Sequence, residues 1–371
     1  MSRVRLALAG LALSASLAAW ATPVPVSARA ELASKLTDQE FWGLIDAFSE
    51  PNGFFRSDNL VSNEDTFQYV IPDLLKRTKP GGAYLGVGPD QNFTYIVSLK
   101  PRIAFITDIR RGNVQEHLMY KALIEQSADR ADFLSRLFSR PRPAGLGAAS
   151  TVDELFAAFA KAEPSEPFYQ ENRRSMIARL AGQRGTALSD DDTRSITYIY
   201  ASFFASGPEL SYSSTDYGRG GPRYPTYEDL QRADDGHGLH RGYLASEEHF
   251  RTLKALEESN LIVPLVGNFA GPKALRAVAA YLKDHGAVVM AFYASNVEQY
   301  LFQDGLWQNF ARNLAVLPLD ERSTLIRSCF NTCSSPSGSR AVSLLDSMTL
   351  LLMDAGAGRI QTYWDVLAHS R

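Results

Sequence analysis

Residues 83–87 are a short apolar run that ends in the turn Gly86-Val87-Gly88-Pro89, and Asp108 closes the next apolar run at 102–107. This pairing constrains the chain more than any other feature. A strand that enters a Gly-x-Gly turn lets backbone N–H groups approach a ligand closely. The following helix points its partial positive end at the same place. A carboxylate about 20 residues on, at the end of the next strand, can accept hydrogen bonds from a ribose. The unit reads as the nucleotide-binding corner of a Rossmann-type sheet.

The rest of the chain repeats the rhythm. Residues 261–267 and 287–294 are continuous apolar runs of the kind buried on both faces. Helices are expected at 36–49, 65–76, 91–99, 151–188, 246–259 and 272–285, with others starting near Asn113 and Asn296. Thr37 with Glu40 three residues on makes a capping-box start for the first of these. The apolar stretch 348–353 precedes a turn at 354–358, and 360–367 is expected to be the last strand. Residues 195–204 read as a strand or a buried helix, since periodicity does not separate the two. Residues 207–227, rich in Gly, Pro, Ser and Tyr, are expected to form a long ordered loop. Strands alternating with helices predict an α/β fold: a mostly parallel sheet with helices on both faces. Residues 31–371 are expected to form one such domain, with a helical and loop insertion at about 140–245.

Composition narrows the partners. A hydrophobic content of 45% and a formal net charge of −3 over 371 residues are ordinary for a globular protein and favour no nucleic-acid partner. Residues 1–30 stand apart: Arg3 and Arg5, a small apolar run at 6–20, then Ala19-Trp20-Ala21 or Ala28-Arg29-Ala30 as cleavage patterns. That is the pattern of a secretory signal peptide and linker. The run is shorter than the ~20 residues a spanning helix needs, so an exported mature chain without a transmembrane segment is expected. Cys329 and Cys333 are the two cysteines. A disulfide between them and two free thiols stand as equal readings.

The candidate ligand turn contains Gly86, Gly88, Asp90 and Asn92, with Asp108 and Arg110 facing it from the next strand. Arg110 reads either as a phosphate or carboxylate holder or as part of a solvated loop. A dinucleotide turn needs a third glycine at position 91, where Gln91 stands. Asn59, Asn63 and Glu64 precede the first strand and read either as a substrate lid or as turn chemistry. Asn268, Tyr293, Asn296 and Glu298 follow buried strands, where open α/β sheets form their ligand crevice. For Asn296 a helix N-cap is an equal reading. The stretch from Asp234 to His240 holds two carboxylates and two histidines, but its spacing fits no established ligand motif, and no metal is expected.

The turn Tyr84-Leu85-Gly86-Val87-Gly88-Pro89-Asp90 resembles motif one of the class I S-adenosylmethionine-dependent methyltransferases. Those carry an acidic residue two before the first glycine and a third glycine two after the second. Tyr84 and Asp90 occupy those positions here. From Phe54 onward the chain is similar to an uncharacterised bacterial family with a methyltransferase-like Rossmann fold. The segments that carry this likeness are Arg56-Ser57-Asp58-Asn59-Leu60-Val61-Ser62-Asn63-Glu64, the Gly86 turn, Thr107-Asp108-Ile109-Arg110-Arg111, and Phe292-Tyr293-Ala294-Ser295-Asn296-Val297-Glu298-Gln299-Tyr300-Leu301. The resemblance implies a small-molecule ligand, with S-adenosylmethionine as the cofactor and methyl transfer to an unknown substrate. In that reading Gly86 and Gly88 hold the amino-acid moiety and Asp108 bonds the ribose. The alternative is an exported ligand-binding or structural protein that keeps the fold without the transfer chemistry.

Overall fold

The computed structural model describes residues 31–212, 224–330, 333 and 339–370. The expected signal peptide, most of the expected loop at 207–227, and residues 331–332 and 334–338 lie outside these.

Among the described residues, six strands form one sheet: β1 (Ala83–Gly86), β2 (Ile103–Asp108), β3 (Ile262–Val266), β4 (Val289–Ser295), β5 (Thr324–Phe330) and β6 (Ala341–Ser347). Their order is β3-β2-β1-β4-β5-β6. The first five pair in parallel and β6 runs antiparallel to β5. Every residue of β1, β2 and β3 is buried, as a sheet covered on both faces requires.

Among the described residues, fifteen α-helices accompany the sheet. Before and between β1 and β2 lie α1 (Asp38–Phe48), α2 (Ile71–Arg77) and α3 (Gln91–Leu99). Between β2 and β3 come α4 (Arg111–Gln126), α5 (Arg130–Phe138), α6 (Val152–Phe159), α7 (Glu166–Arg184), α8 (Asp190–Ser206), α9 (Tyr227–Arg232) and α10 (Glu247–Glu258). The remainder are α11 (Ala274–Asp284), α12 (Val297–Gln303), α13 (Trp307–Ala315), α14 (Met348–Gly356) and α15 (Tyr363–His369). The Thr37 hydroxyl and the Glu40 carboxylate cap each other's backbone at the start of α1, as their spacing predicts. Among the described residues, no helix is long and apolar enough to cross a membrane.

The chain passes from β1 outward to β2 and β3, then returns to place β4 on the other side of β1. That reversal opens a crevice beyond the carboxyl ends of β1 and β4. The additional helices between β2 and β3 pack on α4: Arg111 Nε and Gln115 Nε2 both donate to Asp192 Oδ1 of α8, at 2.8 and 2.7 Å. Covered by the sheet on one side and by these helices on the other, α4 is buried at every residue from Asn113 to Ile124.

One open reading is decided and two local expectations are corrected. Residues 195–204 belong to a helix, α8, whose apolar residues Ile196, Ile199, Tyr200 and Phe203 form one buried face. The last apolar stretch is the helix α15 and not a strand, because Thr362 and Asp365 form a capping box that starts it. The expected turn at 354–358 begins later, since α14 continues to Gly356. The antiparallel pair β5 and β6 was not foreseen. Cys329, in β5, is bonded to Cys333 four residues on, which decides between the disulfide and the free thiols.

Candidate functional site

A cavity of about 710 Å³ occupies the crevice at the carboxyl ends of β1 to β4. It falls within the usual range for small-molecule sites, roughly 300–1,000 Å³. Gly88, Asp108, Gly267 and Ser295 bring the four strand ends to it, and segment 54–65 runs across as a roof.

The glycine turn is built from behind. The Tyr84 hydroxyl donates to Asn92 Oδ1 at 2.9 Å. Asn92 Nδ2 donates to the carbonyls of Val87, Gly88 and Pro89, at 2.9, 3.2 and 2.7 Å. A Cβ on Gly86 would stand 2.0 Å from Asn92 Oδ1 and 2.9 Å from the Tyr84 ring, so only glycine admits this brace. Gly88 needs glycine for another reason, a φ of 80°. Of the four turn candidates, Gly88 lines the cavity, while Gly86, Asp90 and Asn92 lie behind it. Asp90 points toward the additional helices, where its Oδ2 accepts from Gln231 Nε2 at 2.8 Å and from the Tyr243 hydroxyl at 2.9 Å. Burial pushes its carboxyl up to about 7. His117 supports the turn from α4, its Nε2 donating to the Gly88 carbonyl at 2.9 Å. Burial lowers this imidazole to about 4, which keeps it neutral.

Asp108 lines the cavity, but it is paired. Its Oδ1 accepts from the Arg110 backbone N–H at 2.8 Å and from Arg110 Nε at 3.1 Å, and its Oδ2 accepts from Nη2 at 2.9 Å. Arg110 Nη1 donates to the Asp58 carbonyl in the roof. Arg110 is therefore no part of a solvated loop: only 8% of it is exposed, and its fork is held by its own strand's carboxylate. Three of the approximately four acceptor positions of Asp108 are filled, which leaves one for a ligand hydroxyl.

Glu64 is another carboxylate of the cavity wall, which Asp65 and Asp304 also line. Its Oε1 accepts from the Tyr293 hydroxyl at 2.6 Å and from Ser295 Oγ, and its Oε2 accepts from Ser328 Oγ. Burial raises its carboxyl above the usual range, and the three hydroxyls oppose that. Gln91 Nε2 donates to the same Tyr293 hydroxyl, which ties the start of α3 to β4. Ser295 holds a φ of 50°, rare for a residue with a side chain, where the register between β4 and β5 shifts.

Asn59, Asn63, Asn268 and Asn296 all line the cavity. Asn59 adopts a φ of 48° in the roof, a conformation that asparagine tolerates better than most residues. Asn268 Oδ1 accepts from the Ala270 N–H at 2.9 Å, which shapes its own loop. Asn296 stands at the N-cap of α12 but makes no side-chain cap bond. Glu298 is not at the cavity. The first turn of α12 carries it beneath the sheet edge, where its Oε2 accepts from Arg327 Nε at 2.7 Å. In the 234–240 stretch, Asp235 Oδ1 accepts from the N–H groups of His237 and Leu239, and Oδ2 pairs with Arg241 at 2.7 Å. That is turn chemistry.

The aromatic lining of the cavity escaped sequence reasoning. Phe55 meets Tyr300 edge-on at 5.5 Å, and Tyr212 meets Tyr224 at 5.2 Å. All four line the cavity. The Tyr-rich stretch 207–227 carried the signal for two of them, but nothing local says which rings turn inward. Ser328 had no signal at all, since β5 was not foreseen.

No curated protein matches the chain. One family model does, described as a domain of unknown function, DUF7790, over residues 59–344. The match starts in the cavity roof and ends in β6, so it covers the site and well over half of the 371 residues. The chain belongs to this family, the domain of unknown function DUF7790.

Proposed function

We propose that the protein binds a nucleoside-bearing small molecule of the S-adenosylmethionine type in the switch-point cavity and presents it to an acceptor beside the cavity's aromatic lining. The observation that carries this reading is that Gly88 and Asp108 line one cavity of about 710 Å³ beyond the parallel strands. The residues present fit such a ligand. Gly88, with open space where a Cβ would stand, leaves room for close backbone approach. Asp108 retains an acceptor position for a ribose hydroxyl. When bound, S-adenosylmethionine supplies an electrophilic methyl group. The chain's own part is to align and shield it: methyl transfer needs orientation above all, and the paired rings of Phe55 and Tyr300 line the cavity. Gln91, committed to Tyr293, stands where a dinucleotide turn has its third glycine, which favours a nucleoside over a pyrophosphate.

A second reading, an exported binding protein without transfer chemistry, draws support from the internal pairing of Glu64 and Asp108, two of the four carboxylates that line the cavity. Glu64 is engaged by three hydroxyls and Asp108 by Arg110. Isothermal titration with S-adenosylmethionine and S-adenosylhomocysteine, followed by a search for transfer of a labelled methyl group, separates the two. Saturable heat with transfer supports the first reading, and heat without transfer supports the second. No heat with either compound at millimolar concentration overturns both as stated.

A further inference from the structure

Glu116, on α4, is fully buried, and neither of its carboxyl oxygens has a hydrogen-bond partner among the described residues. The two amide atoms of Asn113, one turn earlier on the same face, are likewise unpartnered. Leaving such groups bare inside a protein costs about 1–3 kcal/mol each, and more for a charged one. Burial pushes the Glu116 carboxyl well up, and the charge that most opposes this is Arg110. For Arg110, burial opposes the charged form, while Asp108 first and then Glu116 favour it. Arg110 is the N-cap of α4, and Glu116 lies six residues along. That is a rise of about 9 Å and a rotation of about 120° around the axis, so Arg110 has to swing across the first turn of α4 to reach Glu116.

Two carboxylates therefore compete for one guanidinium, and only one of them holds it. We propose that Arg110 is an arm with two seats, resting on Asp108 in this structure and moving to Glu116 when a ligand's vicinal diol takes Asp108. This rests on the nucleoside reading given above for the identity of the ligand. Three side-chain bonds are given up in the exchange: Nε and Nη2 to Asp108, and Nη1 to the Asp58 carbonyl, which is left to the ligand or to water. The Nε–H and Nη2–H that leave Asp108 are a two-pronged donor, and the neighbouring hydroxyls of a ribose are another. The Arg110 backbone N–H stays on Oδ1 throughout. The guanidinium fork then meets two bare oxygens on Glu116, and any proton that Glu116 carries is released to solvent. Both carboxylates finish partnered, which neither arrangement achieves without the ligand.

The test has a ligand-free part and a ligand part, both on the full chain. Asp108→Asn, Glu116→Gln and the double variant are unfolded in urea. In an otherwise unchanged chain Glu116→Gln is expected to leave the midpoint unchanged or raise it, because Glu116 is unpartnered there. In the Asp108→Asn background it is expected to lower the midpoint, because Arg110 has moved to Glu116. A double variant that does not fold, where both single variants do, is the same result at its limit. Additive shifts overturn the two-seat arm whatever the ligand is. In the ligand part, adenosine and 2′,3′-dideoxyadenosine are titrated into the unsubstituted protein and Glu116→Gln. Adenosine binding about tenfold weaker in Glu116→Gln, with dideoxyadenosine binding unchanged, supports the displacement. Equal adenosine binding overturns it. Non-additive midpoints with no heat from adenosine in either protein leave the arm standing and remove the nucleoside reading.

Discussion

The Tyr293 hydroxyl donates to Glu64 Oε1 at 2.6 Å, joining residues 229 positions apart in the chain. This bond fastens the cavity roof to the carboxyl end of β4. Because Glu64 is buried, each of its hydroxyl donors offsets part of its desolvation. Tyr293→Phe removes one donor and keeps the ring that packs on Tyr95 at 5.3 Å. The expected loss is about 1–3 kcal/mol of unfolding free energy in urea. An unchanged midpoint would show that the bond contributes nothing.

The two glycines of the turn are predicted to differ. Gly88→Ala places a side chain in open space and costs only backbone strain, on the order of 1 kcal/mol. Gly86→Ala drives a methyl group to within 2.0 Å of Asn92 Oδ1 and breaks the brace that holds three turn carbonyls. Thermal melts should therefore rank Gly86→Ala well below Gly88→Ala. Equal melting temperatures would contradict this account of the turn.

Asp90 gives stability a pH dependence of definite sign. Its carboxyl titrates at about 7 in the fold against an ordinary value of 3.8, so the folded state binds its proton more tightly. The resulting stabilisation is complete below the ordinary value and is lost as pH rises through about 7. The gap between the two values corresponds to about 4 kcal/mol. Asp90→Asn should flatten the fall in urea midpoint between about pH 5 and about pH 8. Glu257, raised to about 8 by burial, has the same sign, so some slope will remain. An unaltered slope in Asp90→Asn would contradict the assignment.

Arg327 is fully buried between Glu298 Oε2 and Asp346 Oδ2, at 2.7 and 2.6 Å. Arg327→Met leaves two carboxylates without their counter-ion, and breaking such a group costs about 3–5 kcal/mol. Expression with a greatly lowered urea midpoint, or failure to fold, is expected. A midpoint near that of the unsubstituted protein would show the ion group to be dispensable.

Arg327 also explains what the sequence hides. The strands β1 to β4 are legible because burial on both faces makes them nearly continuous apolar runs. In β5 and β6, Arg327, Ser328 and Asp346 interrupt the pattern, and they are tolerated inside only because they pair with one another and with Glu298 and Glu64. Glu298 sits just after a buried strand, a position that points to the crevice, yet its partner lies 29 residues further on, where no local signal leads. For α15, the Thr362 and Asp365 capping pattern was present, and the apolar run outweighed it. Gly88 and Asp108 were found because strand–turn spacing alone places them at strand ends. Phe55, Tyr212, Tyr224 and Tyr300 come from distant segments that only the tertiary fold brings together.

Nucleoside binding beside Gly88 and Asp108, which line one cavity, is the proposal to be tested. Its most direct test is titration of S-adenosylhomocysteine into the unsubstituted protein and Asp108→Asn, side by side. Loss of a hydrogen bond to a charged group is worth about 1.5–3 kcal/mol, roughly tenfold to a hundredfold in affinity. Saturable one-site heat that Asp108→Asn weakens by that factor is expected. No heat at millimolar ligand, or equal heat in both proteins, would contradict it.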